Sequence, residues 1–236
     1  MAKEKNKKNQ NSVTKPVNLI TLLNPNSPIS EQYRTIRTNL QFAVSGDEKL
    51  RSIVVVSSGP GEGKSTSAAN LAVVFAQAGK RVLLVDADMR KPTVHKTFGL
   101  SNEAGLSTLI SGQAPVQELV ATTEIDRLSV LVSGPTPPNP AELLNSRRMN
   151  QIIEEMYHYF DLVIFDLPPV LTVADGLIMA AKTDGTVLVV REDKTSKEGA
   201  IEAKRRLQGA KARILGAIYN GASQSAESDY YYYSGK

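Results

Sequence analysis

Ser52-Ile53-Val54-Val55-Val56-Ser57 runs directly into Ser58-Gly59-Pro60-Gly61-Glu62-Gly63-Lys64-Ser65-Thr66. The first part is a β-branched run, polar only at its ends, as in a strand buried on both faces. The second opens a helical pattern over 64 to 78. A glycine-rich turn between a buried strand and a helix is where a phosphate loop belongs. Its glycines let successive backbone N–H groups turn inward on phosphate oxygens, and the helix N-terminus adds the positive end of its dipole. Lys64 is placed to reach the β and γ phosphates of ATP, and Ser65 to offer a hydroxyl to Mg²⁺. The strict motif carries glycine where Ser58 stands, so Gly59 and Gly61 are expected to supply the flexibility instead.

Outward from this loop the buried-strand texture recurs at 82 to 85, 128 to 132, 162 to 165, 186 to 190 and 214 to 218. Helical patterns lie between, at 140 to 159, 174 to 182 and 196 to 208. Such alternation describes an α/β, P-loop-NTPase-like domain, a mostly parallel sheet with helices on both faces and right-handed crossovers. Asn139 is a candidate cap, Pro140 fits the first helical position, and Glu142 is spaced to reach back as in a capping box. Residues 144, 152, 153, 156 and 160 form the apolar stripe of that helix. Earlier in the chain, Tyr33, Ile36 and Leu40 mark an amphipathic helix beginning near Ser30, read as its N-cap.

These boundaries divide the 236 residues into a polar tail (1–27), one domain (28–220) and a tyrosine-rich tail (221–236). Cysteine is absent, which excludes disulfides, thiolate metal sites and a cysteine nucleophile. The two histidines, His95 and His158, lack metal-ligand spacing and read as structural. The net charge of +4 is concentrated at the start, where Lys3, Lys5, Lys7, Lys8 and Lys15 face only Glu4. A solvated basic tail is expected there, with acidic lipid or nucleic acid as the alternatives. No secretion signal or spanning segment is legible, so a cytoplasmic protein is expected, reaching a membrane through a partner or its tail.

Two acidic sites end buried runs: Val82-Leu83-Leu84-Val85 leads to Asp86-Ala87-Asp88-Met89-Arg90, and Leu162-Val163-Ile164-Phe165 leads to Asp166-Leu167-Pro168-Pro169. In an open parallel sheet those ends share the ligand-binding edge with the phosphate loop. A lone aspartate at a strand end is commonly a turn residue. Three beside a triphosphate are better explained as a Mg²⁺ shell plus a group that orients the nucleophile.

With these motifs the sequence resembles the bacterial tyrosine kinases, the kinase subunits of Gram-positive type associated with capsule and exopolysaccharide production. Gly59 to Thr66 looks like the family's Walker A, Val82 to Arg90 like its Walker A′, and Val163 to Pro169 like its Walker B. Glu31-x-x-Arg34-x-x-Arg37 is similar to its subunit-contact motif, within a contact helix over 28–45, and Tyr230, Tyr231, Tyr232 and Tyr233 to its autophosphorylated cluster. Pro137 to Leu144 also matches a family segment, with no chemistry derivable from its residues. The resemblance implies that Gly59, Pro60, Gly61, Glu62, Gly63, Lys64, Ser65 and Thr66 bind ATP, with Asn220 at the base. It implies that Ser65, Asp88 and Asp166 hold Mg²⁺, and that Asp86 orients the attacking tyrosine and takes its proton late, a carboxylate near pKa ~4 being too weak to strip a phenol of pKa ~10 beforehand. It further implies a homo-oligomeric ring, an octamer, and a transmembrane adaptor that stimulates the kinase.

The nearest rival is an ATPase of the partition or site-selection type, with the same fold and motifs. Those proteins carry a signature lysine where this chain has Gly59. A nucleotide-binding regulator without transferase activity would tolerate loss of carboxylates, and Asp86, Asp88 and Asp166 are all present. Neither an H-R-D nor a D-F-G triplet occurs, which excludes a eukaryotic-type kinase.

Overall fold

The computed structural model describes residues 16–44, 49–112 and 114–222. In chain order the elements are α1 (Ile20–Leu23), α2 (Pro28–Phe42), β1 (Ser52–Ser57), α3 (Lys64–Gln77), β2 (Val82–Asp86), α4 (Val94–Thr97), α5 (Leu106–Ser111) and α6 (Val116–Leu119). They continue with β3 (Ala121–Thr122), β4 (Leu128–Leu131), α7 (Pro140–Asn145), α8 (Arg147–Tyr159), β5 (Leu162–Asp166), α9 (Asp175–Ala180), β6 (Gly185–Arg191), α10 (Lys197–Gly209) and β7 (Ile214–Asn220).

The seven strands form one sheet in the order β3-β4-β2-β5-β1-β6-β7, parallel except for β3 against β4. The six expected strands all form. The antiparallel edge β3 was not foreseen, since two residues are too few to show alternation. Every residue of β1, β2 and β5 is buried, which is why those runs are apolar throughout. Their side chains feed two separate cores. One lies under α2 and α3, with Phe75, Leu71 and Ile53, and the other under α5, α8, α9 and α10, with Phe165, Met149 and Leu106. No helix among the described residues is long and apolar enough to cross a membrane.

Two boundaries differ from expectation. The helix expected over 140 to 159 breaks at Ser146, whose extended backbone (φ −68°, ψ 158°) ends α7 while its side chain accepts the Met149 amide and caps α8. Asn139 makes no side-chain cap; its amide donates to Glu142 instead (3.1 Å). In α2 the cap is Ser27, which accepts the Ser30 amide, while Ser30 is buried inside the first turn.

The second correction concerns the tail expected over residues 1–27, since from Pro16 onward the chain belongs to the domain. Its anchor is Asn70 of α3, fully buried. The Asn70 side-chain oxygen accepts from the Thr21 amide (3.0 Å) and hydroxyl (2.8 Å), and its amide donates to the carbonyls of Asn18 and Thr66 (2.9 Å each). Ser30 donates to the carbonyl of Asn24 (2.7 Å), tying this segment to α2. Asn70→Ala leaves these groups without partners and should cost about 2 to 3 kcal/mol, against about 1 kcal/mol for Thr21→Val. Urea unfolding of both variants checks this, and equal midpoints would mean that the segment does not dock through Asn70.

Candidate active site

The phosphate loop closes in a way that its composition disguises. Glu62 is almost fully buried, and its carboxylate turns back to accept the Ser58 amide (2.9 Å). Only Gly61 (φ 74°) and Gly63 (φ 96°) use the left-handed region that favours glycine. Gly59 serves differently from expectation: a Cβ there would stand 3.2 Å from a Glu62 oxygen, so its role is to leave room. Asn220, at the end of β7, donates its amide to the Glu62 carbonyl (3.0 Å), and a Cβ on Gly63 would overlap that same amide. The structure thus brings Asn220 onto the loop from 157 residues beyond Gly63 (220 minus 63).

β2 and β5 are paired in register so that Asp86 lies opposite Asp166. The Lys64 Nζ, from the first residue of α3, stands 3.1 Å from Asp88 Oδ2 and 3.1 Å from Asp166 Oδ1. It also lies 3.2 Å from the Ser65 hydroxyl. Burial alone would lower the Lys64 pKa, but Asp166, Asp88 and Asp86 together outweigh it and hold the ammonium above its ordinary value. For Asp86, burial and then the Asp166 charge push the carboxyl up to about 7, against the bonds from Val94 and Thr93 and the charge of Lys64. Burial likewise raises Asp166, with Lys64 acting the other way. In the nucleotide-free site the Asp86 carboxyl thus lies above the ordinary carboxylate range. Its Oδ2 accepts the amides of Thr93 and Val94 at 2.9 Å each, which fixes its orientation.

These residues fit a magnesium ion. Asp166 Oδ2 is buried with no hydrogen-bond partner, and Ser65, Asp88 and Asp166 offer oxygen only. Two carboxylates and a hydroxyl suit Mg²⁺, which takes one or two carboxylates and completes its octahedron with water and phosphate oxygens. A cavity of about 380 Å³ adjoins the loop, lined by Gly61, Gly63, Lys64, Ser65 and Thr66, and on its other sides by Asp88, Lys91, Thr93, Pro169, Arg191 and Val17.

Residues 50–215 match the family described as AAA domain. Tyrosine-protein kinase YwqD of Bacillus subtilis is 51% identical over 219 residues, 93% of this chain and 92% of that protein. The chain belongs to the bacterial tyrosine kinases. Among solved structures, the chimerical protein CapA2B2 superposes with a TM-score of 0.84 at 42% identity, covering 89% of this chain and 94% of that one. The cell division ATPase MinD of Pyrococcus furiosus shares the fold more distantly, with a TM-score of 0.63 at 25% identity over 74% of each chain.

One partly buried ion pair beside the site was not disclosed by the sequence. Arg90, two residues beyond Asp88, donates from Nε (2.8 Å) and Nη2 (3.1 Å) to the two oxygens of Asp175, which is fully buried at the start of α9. This bidentate pair joins the loop after β2 to the segment after β5. A lone acid in a helix first turn reads as a dipole or cap residue, so nothing pointed to Asp175 in advance. The expected common face of Glu31, Arg34 and Arg37 also divides. Arg34 pairs with Glu31 (2.7 Å) and donates to the Pro25 carbonyl, whereas Arg37 turns inward to the Val74 carbonyl of α3 (3.1 Å). Tyr230 to Tyr233 lie outside the described residues.

Removing Lys64 strands three buried carboxylates, so Lys64→Met should destabilise the nucleotide-free kinase by about 3 to 5 kcal/mol. Asp166→Asn removes a charge that the fold already disfavours, and should leave that stability unchanged or raised. Denaturant unfolding without nucleotide decides, and a strongly destabilised Asp166→Asn would show that the pair with Lys64 outweighs the burial of its carboxylate.

Proposed function

We propose that this kinase transfers the γ-phosphoryl group of ATP to the tyrosines of its own tail, Tyr230 to Tyr233, between subunits of a ring, and to other proteins. The observation that carries the chemistry is the meeting of Lys64 with Asp88 and Asp166 beside the phosphate loop. Backbone N–H groups from Gly59 to Thr66 cradle the phosphates, Lys64 stays on the β and γ oxygens, and Asn220 contacts the base. Ser65, Asp88 and Asp166 hold Mg²⁺, which when bound neutralises charge on the phosphate oxygens. The tyrosine oxygen forms its bond to the γ phosphorus as the bond to the β–γ bridging oxygen breaks, and ADP leaves. Asp86, its orientation fixed by two backbone amides, aligns the hydroxyl and receives its proton late in this loose transition state.

The finer assignments continue the same reading. Glu31 and Arg34 contact the next subunit, and repetition of one heterologous contact closes the ring, an octamer. A transmembrane adaptor brings the kinase to the membrane, where it regulates capsule or exopolysaccharide synthesis. Each phosphate adds about −1.5 to −2 charges to the tail, which repels the triphosphate in the neighbour's site and the other tails, and so favours disassembly. A partition-type ATPase switch is the weaker reading, because Gly59 stands in place of the signature lysine.

Intact mass before and after phosphatase tests the transfer: the purified chain should lose several phosphates, while Lys64→Met and Asp86→Asn carry none. Asp86→Asn should retain nucleotide binding while its rate of transfer falls at least 100-fold. An Asp86→Asn chain phosphorylated at the ordinary rate would remove Asp86 from the chemistry.

For assembly, Glu31→Ala with Arg34→Ala should reduce the light-scattering mass to that of a monomer with the unfolding midpoint nearly unchanged. Arg37→Ala should lower the midpoint as well, because its bond to the Val74 carbonyl is partly buried, whereas the bonds of Arg34 to Glu31 and Pro25 are exposed and contribute little. An undiminished mass in the double variant would refute the contact.

A further inference from the structure

The sheet edge opposite the phosphate loop holds a second cavity, of about 480 Å³. Among the described residues that line it, four are cations, Lys49, Arg51, Lys80 and Arg81, against the carboxylate of Asp161, with Asp184 close by and spent on the amides of Arg51 and Ser52. The Asp161 carboxylate is already committed. Its Oδ2 accepts the Arg81 amide (2.9 Å), and its Oδ1 accepts Arg81 Nε (3.2 Å) and Nη2 (2.7 Å). Arg51 lays its guanidinium over the Tyr157 ring, 4.1 Å from the centroid. Among the described residues none of Lys49, Arg51 and Lys80 makes a direct ion pair, and Lys80 feels Asp161 only at longer range. Beneath the rim the lining is apolar, with Phe75 and Phe160.

Cations above an apolar, aromatic lining call for a ligand of two parts, a compact anion joined to a flat apolar body. The volume falls in the ~300 to 1,000 Å³ range of small-ligand sites. A phosphate dianion meets the rim through charge-assisted hydrogen bonds, and a phenyl ring meets both the lining and the guanidinium plane. We propose that this cavity binds phosphotyrosine, and that its occupant is the phosphorylated Tyr230 to Tyr233 segment of this chain. The proposal rests on the kinase reading only for the origin of the phosphate. The tail leaves β7 at Asn220, on the opposite edge of the sheet. The cavity lies about 23 Å back along β7 and about 14 Å across the sheet from β7 to β5, about 27 Å in a straight line, while an extended chain from Gly221 covers about 30 Å to Tyr230 and about 40 Å to Tyr233, so the later tyrosines of the segment can reach it. Docking there would hold the product away from the triphosphate that repels it.

The test uses the full dephosphorylated chain without ATP, so that no tyrosine is modified during the measurement. Fluorescent peptides of residues 226 to 236 are titrated with the four tyrosines phosphorylated, unmodified, or replaced by phosphoserine. The phosphotyrosine form should bind at least 10-fold more tightly than the unmodified one and several-fold more tightly than the phosphoserine form. Lys49→Gln, Arg51→Gln and Lys80→Gln together should weaken it at least 10-fold. These side chains make no hydrogen bond that the fold needs, and an unchanged unfolding midpoint verifies that. Arg81 and Asp161 stay as they are. Equal binding of the three peptides, an undiminished affinity in the triple variant, displacement by ADP, or tighter binding of a single-stranded oligonucleotide would each overturn the proposal. Because the peptides are synthetic, such a failure leaves the transfer reading to stand or fall on its own mass measurement.

Discussion

The arrangement around Lys64 is the constraint from which the rest of the site follows. In-register pairing of β2 with β5 sets Asp86 opposite Asp166 at two fully buried positions, and two like charges so close and so buried are costly. One ammonium shared between Asp88 and Asp166 offsets part of that cost, and it can do so only if α3 begins where the loop from β1 delivers it. The loop therefore has to be short, left-handed at two glycines and closed by its own Glu62. The carboxyls remain above their ordinary values even with Lys64 present, first because burial strips them of solvation and then because of their mutual repulsion, so the nucleotide-free site holds charge that the fold disfavours. A ligand that brings cationic charge to the carboxylates relieves it, which is how a destabilised site becomes a binding site.

What the sequence made legible follows from this geometry. Strands buried on both faces are apolar throughout, so β1, β2 and β5 announce themselves, and the acids that end them lie on the ligand edge by topology alone. The phosphate loop was readable because its chemistry is local. The missed features act across the chain or through hydrogen bonds rather than apolar periodicity. The segment from Pro16 is polar, rich in Asn and Pro, and reads as a tail; it is held by the single buried amide of Asn70, which no pattern of burial reveals. Asp175 became visible only when Arg90 was found 85 positions away in sequence. For Arg37, helical periodicity gave the face correctly but not the depth, since only the neighbouring α3 determines that its guanidinium turns inward.

The two edges of the sheet differ for a related reason. In a parallel sheet the strand C-termini gather at one edge, where the phosphate loop and the acids concentrate functional charge. At the other edge the strands begin, and Arg51 and Arg81 immediately precede or open β1 and β2 there. Asp161 enters that edge before β5 and is consumed by Arg81, so positive charge remains in excess around an apolar depression. The same topology that makes one edge a nucleotide site thus leaves the other open to a different anion.

Between the edges runs α3, and three separate features converge on it. Lys64 at its start holds the acids, Asn70 at its middle holds the docked N-terminal segment, and the Val74 carbonyl near its end receives Arg37 of α2. The docked segment itself returns to the site, because Val17 lines the nucleotide cavity and its amide donates to Thr97, in the stretch whose Thr93 and Val94 amides orient Asp86. A helix of 14 residues buried along most of its length is a stiff element, and groups fixed to it at three points cannot shift independently. Displacement at the phosphate end therefore bears on the packing of α2, and strain on α2 bears on Lys64. That shared attachment gives α2 a physical connection, through α3, to Lys64 and the acids it meets.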